Sequence, residues 1–227
     1  MRVLAIDTAL ESCSAAVLDT LRASPLASEQ MAMTRGHAEA LMPLIARVMD
    51  RAQIDFRDLD RIAVTVGPGS FTGLRVGIAA ARGIALASGK PAIGLSTLAA
   101  YAAPLIAADK DKPVVAAIDA RHDHLYLQVF GPGGRTLVTP RITPLRDALR
   151  VATSGTPRLV GTGARMLAAA WPAGVPRPAL VDERRAPDID WVARLGAAAT
   201  DIATPPKPLY LRAPDAQPQD AAQLARR

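Results

Sequence analysis

Apolar and polar positions along this chain fall into short runs of two periods, one suited to strands and one to helices. Val3 to Asp7, Cys13 to Leu18 and the stretch near Ala27 to Met33 have strand length, and the second sits in an alternation of small polar and apolar residues from Ser12. His37 to Ala52 places Leu41, Leu44, Ile45, Val48 and Met49 at helical spacing, the stripe expected of a core-facing helix. A strand (Ile62 to Val66), a helix (Leu74 to Ser88), a strand (Ala92 to Leu95) and a helix (Thr97 to Ala103) follow. The order then repeats. Strands at Val114 to Asp119, Leu125 to Phe130 and near Thr136 to Ile142 precede a helix (Leu145 to Ala152), a strand (Arg158 to Gly161), a helix (Ala164 to Ala170), a strand (Ala179 to Val181) and a helix (Trp191 to Ile202). Each half is three strands followed by alternating helices and strands.

The stretch Gly67-Pro68-Gly69-Ser70-Phe71-Thr72-Gly73-Leu74-Arg75-Val76-Gly77 joins a strand to a helix. Gly67 and Gly69 permit backbone angles closed to other residues, and Ser70 or Thr72 is placed to cap the helix. Such a loop either presents N–H groups to an anion or is simply a tight turn. The helix that follows is unusual. Gly73, Gly77, Ala81 and Ala85 recur every four residues, Val76, Ala80, Ile84 and Ala87 fill another face, and only Arg75 and Arg82 are charged. A helix apolar nearly all round must be covered on more than one side, either by its own chain or by a partner whose backbone approaches the small residues.

The glycine string, with Leu4-Ala5-Ile6-Asp7-Thr8, His37-Ala38-Glu39-Ala40-Leu41-Met42-Pro43 and Gly94-Leu95-Ser96-Thr97-Leu98, resembles the TsaB (YeaZ-type) family of the bacterial system that makes threonylcarbamoyladenosine in tRNA. Asp119-Ala120-Arg121 and Pro208-Leu209-Tyr210-Leu211-Arg212 extend the resemblance over nearly the whole chain. The doubled strand order and this resemblance together predict an α/β protein of two ribonuclease-H-like lobes in tandem, the architecture of actin, sugar kinases and Hsp70. The expected division is residues 1–103 for the first lobe, 104–212 for a degenerate second lobe, and a loosely ordered 213–227 in which Ala221 to Arg227 is a short-helix candidate.

Active enzymes of that architecture hold nucleotide phosphates with a glycine turn between the first two strands of each lobe. Asp7 stands where an acidic residue would position the metal, and Thr8, Gly67, Gly69, Ser70 and Thr72 complete a vestigial nucleotide site or loop. The turn Thr8-Ala9-Leu10-Glu11-Ser12 has no glycine, and neither has its counterpart Asp119-Ala120-Arg121-His122-Asp123-His124. Catalytic TsaD-type relatives carry a metal-binding pair of histidines four apart, where this chain has Thr97 and Tyr101. His122 and His124 flank a hairpin tip, His37 starts a helix and Cys13 lies mid-strand, so no nucleophile–base arrangement emerges. No catalytic residue and no metal ligand is therefore assigned.

The resemblance implies a non-catalytic scaffold subunit that binds and activates a TsaD-type threonylcarbamoyltransferase, works beside a TsaE-type ATPase, and can form a homodimer without its partner. ATP and metal are expected on the partner subunits and no cofactor on this one. The interface implied is a bundle of first-lobe helices, with Leu41, Ile45, Gly73, Val76, Gly77, Ala80, Ala81 and Ile84 as candidates. The competing reading is an autonomous phosphotransferase or ATPase of the same fold.

Composition narrows this further. Half of the 227 residues are hydrophobic, no apolar run reaches membrane-span length and no signal-peptide pattern opens the chain, so a cytoplasmic protein is expected. The net charge of +6 comes from singly scattered basic residues, and two Trp, three Tyr and three Phe leave little for stacking bases. Contact with tRNA is expected only through a complex. A single cysteine excludes an intrachain disulfide.

Overall fold

The computed structural model describes residues 1–200 and 203–212. The short helix expected over 221–227 lies outside the described residues. Ten strands and six helices run in the order β1 (Arg2–Asp7), β2 (Ser12–Asp19), β3 (Ala27–Ala32), α1 (His37–Ala52), β4 (Arg61–Gly67), α2 (Phe71–Ser88), β5 (Ala92–Ser96), α3 (Thr97–Ala108), β6 (Val114–Asp119), β7 (His124–Phe130), β8 (Thr136–Pro144), α4 (Leu145–Ala152), β9 (Arg158–Val160), α5 (Ala164–Ala169), β10 (Leu180–Asp182) and α6 (Ile189–Ala198). They form two five-stranded sheets of identical connectivity, β3-β2-β1-β4-β5 and β8-β7-β6-β9-β10. In each the first three strands are antiparallel and the last two join the first in parallel. This is the tandem ribonuclease-H-like arrangement the doubled pattern predicts.

Burial explains why β1 reads as an unbroken apolar run. Leu4 and Ile6 point into a core with α1 and α2, while Ala5 points to the other face, against α6. A strand covered on both sides loses its polar alternation. The helices are started by short-range chemistry. The Ser70 hydroxyl accepts from the Gly73 N–H at the head of α2, Ser96 does the same for Ala99 at the head of α3, and Gly89 closes α2 with φ +68°.

Two helices depart most from their expected ends. The helix expected to end at Ala103 continues through Pro104 to Ala108, because Leu98, Tyr101 and Ala102 are packed with Val114, Ala116 and Ile118 and its last carbonyls are held from outside. The buried Arg158 guanidinium donates to the carbonyls of Leu105 (2.5 Å), Asp109 (2.7 Å) and Lys112 (2.8 Å), a cation at a helix C-terminus. The helix expected over Trp191 to Ile202 begins at Ile189, capped by Asp188, and ends at Ala198.

The division expected at 103/104 falls inside α3, and packing cuts across it. That helix belongs to the first half in sequence but covers the second sheet, while α6 from the far end of the chain covers the first sheet with Ile189, Val192 and Ala193. Among the described residues no helix is long and apolar enough to cross a membrane.

Candidate functional site

The ends of β1 and β4 and the head of α2 meet at one point, through a turn that sequence alone does not connect to the helix. Past Asp7, the Thr8 hydroxyl donates to the Gly73 carbonyl (2.7 Å), and the Ser70 N–H donates to the Ala9 carbonyl (2.7 Å). A side chain at Gly69 would collide with the Ala9 carbonyl, one at Gly73 with the Thr8 carbonyl, and one at Gly77 with the Thr8 hydroxyl. Three glycines four apart, Gly69 in the loop and Gly73 and Gly77 in α2, therefore make a groove that seats the Thr8–Ala9 turn. Gly67, at φ +117°, is closed on its other side by the Leu209 carbonyl, 2.9 Å from where a β-carbon would stand.

These contacts decide one open choice and correct one expectation. The N–H groups of Ser70, Gly73 and Leu74 are taken by the Ala9 carbonyl and by Ser70 itself, so they are committed to holding the loop rather than offered to an anion. The small-residue stripe of α2 faces its own sheet. Gly73, Gly77, Ala81 and Ile84 are buried in the first lobe with Leu41 and Ile45, whereas Val76 and Ala80 are half-buried. Ser70 and Thr72 are exposed.

The outward face of α2 is a different set, none of which was among the expected interface residues: Arg75, Ala79, Arg82, Gly83, Leu86 and Ala87. Leu86 is 86 % exposed, and among the described residues nothing comes within 4 Å of where a Gly83 β-carbon would stand. Beside this face lies a groove of about 440 Å³ lined by Met42, Phe56, Ala80, Gly83, Ile84 and Ala87. The one signal available in sequence was that Gly83 breaks a helical run without belonging to the four-residue series.

Asp7 is fully buried. Its Oδ1 accepts from the Thr65 hydroxyl and from the Ala9 N–H (3.2 Å), while Oδ2 has no partner. Burial pushes its carboxyl up to about 6, against the pull of Thr65, Ala9 and the charge of His37. His37 was read only as a helix start, yet its Nε2 lies 3.2 Å from the Leu10 carbonyl and fixes the turn after β1 from the other side.

Between the lobes, Tyr101 is buried with its hydroxyl donating to the Arg184 carbonyl (3.2 Å), and Leu10 packs on the cores of both lobes. Burial, with the Asp7 charge, raises the Tyr101 hydroxyl beyond its ordinary range. A Glu11–Arg185 ion pair (3.0 Å) crosses the same boundary. Thr97 and Tyr101, standing where TsaD-type relatives carry histidines, are a buried hydroxyl and a committed phenol, and this donor set does not suit a metal. At the second-lobe turn, Arg121, His122 and Asp123 all have positive φ, and the His124 Nδ1 lies 2.6 Å from the His122 carbonyl. Among the described residues no three His, Cys, Asp or Glu side chains gather to hold a metal ion.

Comparison with known proteins places these features in a group. A sequence model of TsaD, tRNA N6-adenosine threonylcarbamoyltransferase, matches residues 30–175. The chain is 36% identical over 126 residues to the tRNA threonylcarbamoyladenosine biosynthesis protein TsaB of Escherichia coli K12, a match covering 56% of this chain and 53% of that one. It spans about half the length of the first curated relatives it matches. It is 34% identical over 218 residues to an uncharacterized protein of Mycobacterium tuberculosis, covering 95% of this chain and 94% of the other. The solved structure of YeaZ from Pseudomonas aeruginosa superposes with a TM-score of 0.78 at 30% identity, over 92% of this chain and 99% of that one.

Proposed function

Because the chain belongs to the TsaD family and within it to the TsaB/YeaZ group, we propose that it is a non-catalytic subunit of the apparatus that makes threonylcarbamoyladenosine in tRNA. In this reading it binds and activates a TsaD-type threonylcarbamoyltransferase. That enzyme, with a TsaE-type ATPase, transfers the threonylcarbamoyl group from threonylcarbamoyl-adenylate to the adenosine beside the anticodon of tRNAs that read codons beginning with A. ATP and metal belong to the partners, and tRNA is met through the complex.

The observation that carries the reading is the outward face of α2. Its small and apolar residues, with the groove toward Met42 and Phe56, leave open a surface on which another helix has room to lie close to the backbone at Gly83. The enzyme alternative lacks comparable support, since the glycine loop is spent on seating the Thr8–Ala9 turn and the space between the lobes is filled by Leu10 and Tyr101.

Two measurements test this. In a pull-down with the TsaD-type protein of the same organism, Gly83→Glu and Leu86→Glu should each weaken pairing at least a hundredfold, because an unpaired charge desolvated in a contact costs several kcal/mol. Both positions are open to solvent, so melting of the isolated variants should stay close to wild type; pairing that survives both substitutions removes this face from the interface. The isolated chain should also release no phosphate from ATP above background, and steady turnover by the pure protein would restore the phosphotransferase reading.

A further inference from the structure

We infer that residues 206–212 form a latch that ties the two lobes together across the ends of their parallel strands, and that releasing it lets the lobes rotate apart. The segment carries no helix or strand, yet it is anchored step by step. Pro206 is buried beside Gly94 of β5, and the Leu209 N–H donates to the Val66 carbonyl of β4 (2.7 Å). Tyr210 then stacks on Phe71 at the head of α2, ring centroids 5.2 Å apart, and its hydroxyl accepts from Arg75 Nε (3.1 Å). The Arg75 guanidinium also lies 3.8 Å from the Phe71 ring centroid. Two residues on, Arg212 Nη1 donates to the Ala120 carbonyl at the end of β6 (3.1 Å). The anchors are thus on the first lobe up to Tyr210 and on the second at Arg212.

The mechanics follow from the crossed helices. The chain passes between the lobes once through α3 and returns once ahead of α6, and two such passages permit a hinge. A third tie on the strand-end side restrains it. This tie is weak compared with the cores it joins, since Phe71 and Tyr210 are 42 % and 43 % exposed, which places it among segments that open before the lobes unfold. Behind it lies Gly67, and beyond that the buried floor of Asp7 and Thr65.

The test uses the full chain with spin labels at Arg57→Cys and Arg165→Cys, exposed sites on opposite lobes, the buried Cys13 being left in place. The inter-label distance distribution and amide exchange are recorded for the parent and for Tyr210→Ala and Arg212→Ala. Each substitution should at least double the width of the distribution and speed exchange at least tenfold at residues 66–71 and 119–124, with β1 unchanged. Unaltered distributions in both variants overturn the latch. Exchange that rises equally in β1 also overturns it, because the segment would then be part of the cooperative core.

Discussion

Gly77→Glu is expected to unfold the first lobe rather than to spare the fold and abolish an association. At Gly77 the helix lies against the Thr8 hydroxyl, with Val64 Cγ2 3.5 Å from where a β-carbon would stand, so a longer side chain begins in contact with β4 and the turn after β1. The glutamate would bring a second carboxylate beneath α2 close to the end of β1, where Asp7 is already fully buried. A buried charge without a partner costs about 3–5 kcal/mol, overpacking adds about 1–3 kcal/mol, and domains of this size have only about 5–15 kcal/mol in hand. The melting transition should therefore be lost or shifted far down. Gly83→Glu, the same substitution six residues along on the open face, is the control and should melt close to wild type. Gly77→Ala, whose β-carbon would collide with the Thr8 hydroxyl and stand in ordinary contact with Val64, should be destabilised less and partly recovered by Thr8→Ala, since that change removes the colliding atom although it also ends the bond to the Gly73 carbonyl. A folded Gly77→Glu protein would show that the glycine groove is not packed as described.

Asp7→Asn is expected to stabilise the protein at neutral pH and to leave it unchanged in acid. The folded-state carboxyl titrates at about 6 against an ordinary 3.8. Between these values the folded protein keeps a proton that the unfolded chain has released, so wild-type stability falls as pH rises through this window and stays lower above it. The penalty at pH 7 is about 3 kcal/mol at 1.36 kcal/mol per pH unit. An amide carries no such penalty and can still accept from the Thr65 hydroxyl. Urea unfolding at pH 4 and pH 7.5 should thus show near-equal midpoints at the lower pH and a higher midpoint for Asn at the upper. The titratable groups coupled to Asp7 include His37, whose charge lowers its titration, and the neutral Cys13 thiol and Tyr101 phenol, so none reverses the sign. Equal midpoints at both pH values would mean that Asp7 ionises in the fold without cost.

Both predictions depend on contacts that local pattern does not reveal, and they mark where the sequence reading stopped. The spacing of Gly73, Gly77 and Ala81 was visible at once, and so was the need to cover the helix on more than one side. What the stripe met was not visible, since a glycine records only that something comes close. The partner turned out to be Thr8, 65 residues earlier in the chain. Tyr210 stood out only as part of a five-residue resemblance, and its contact with Arg75 spans 135 residues. His37 is similar: its place at a helix start was clear, but its hold on Leu10 required the turn after β1 to fold back across α1.

The sequence by itself determined the strands and helices, their two equivalent sets and the turn residues that punctuate them. Those features rest on period, capping and glycine conformation, all short-range effects that act within a few residues. Only the tertiary structure decided which face of α2 is inside, that α3 and α6 exchange lobes, that the glycine loop is spent on a turn of its own chain, and that Leu209 to Arg212 cross from one lobe to the other. Those outcomes depend on which distant surfaces exclude water together, and hydrophobic burial has no direction along the chain from which to read its partner.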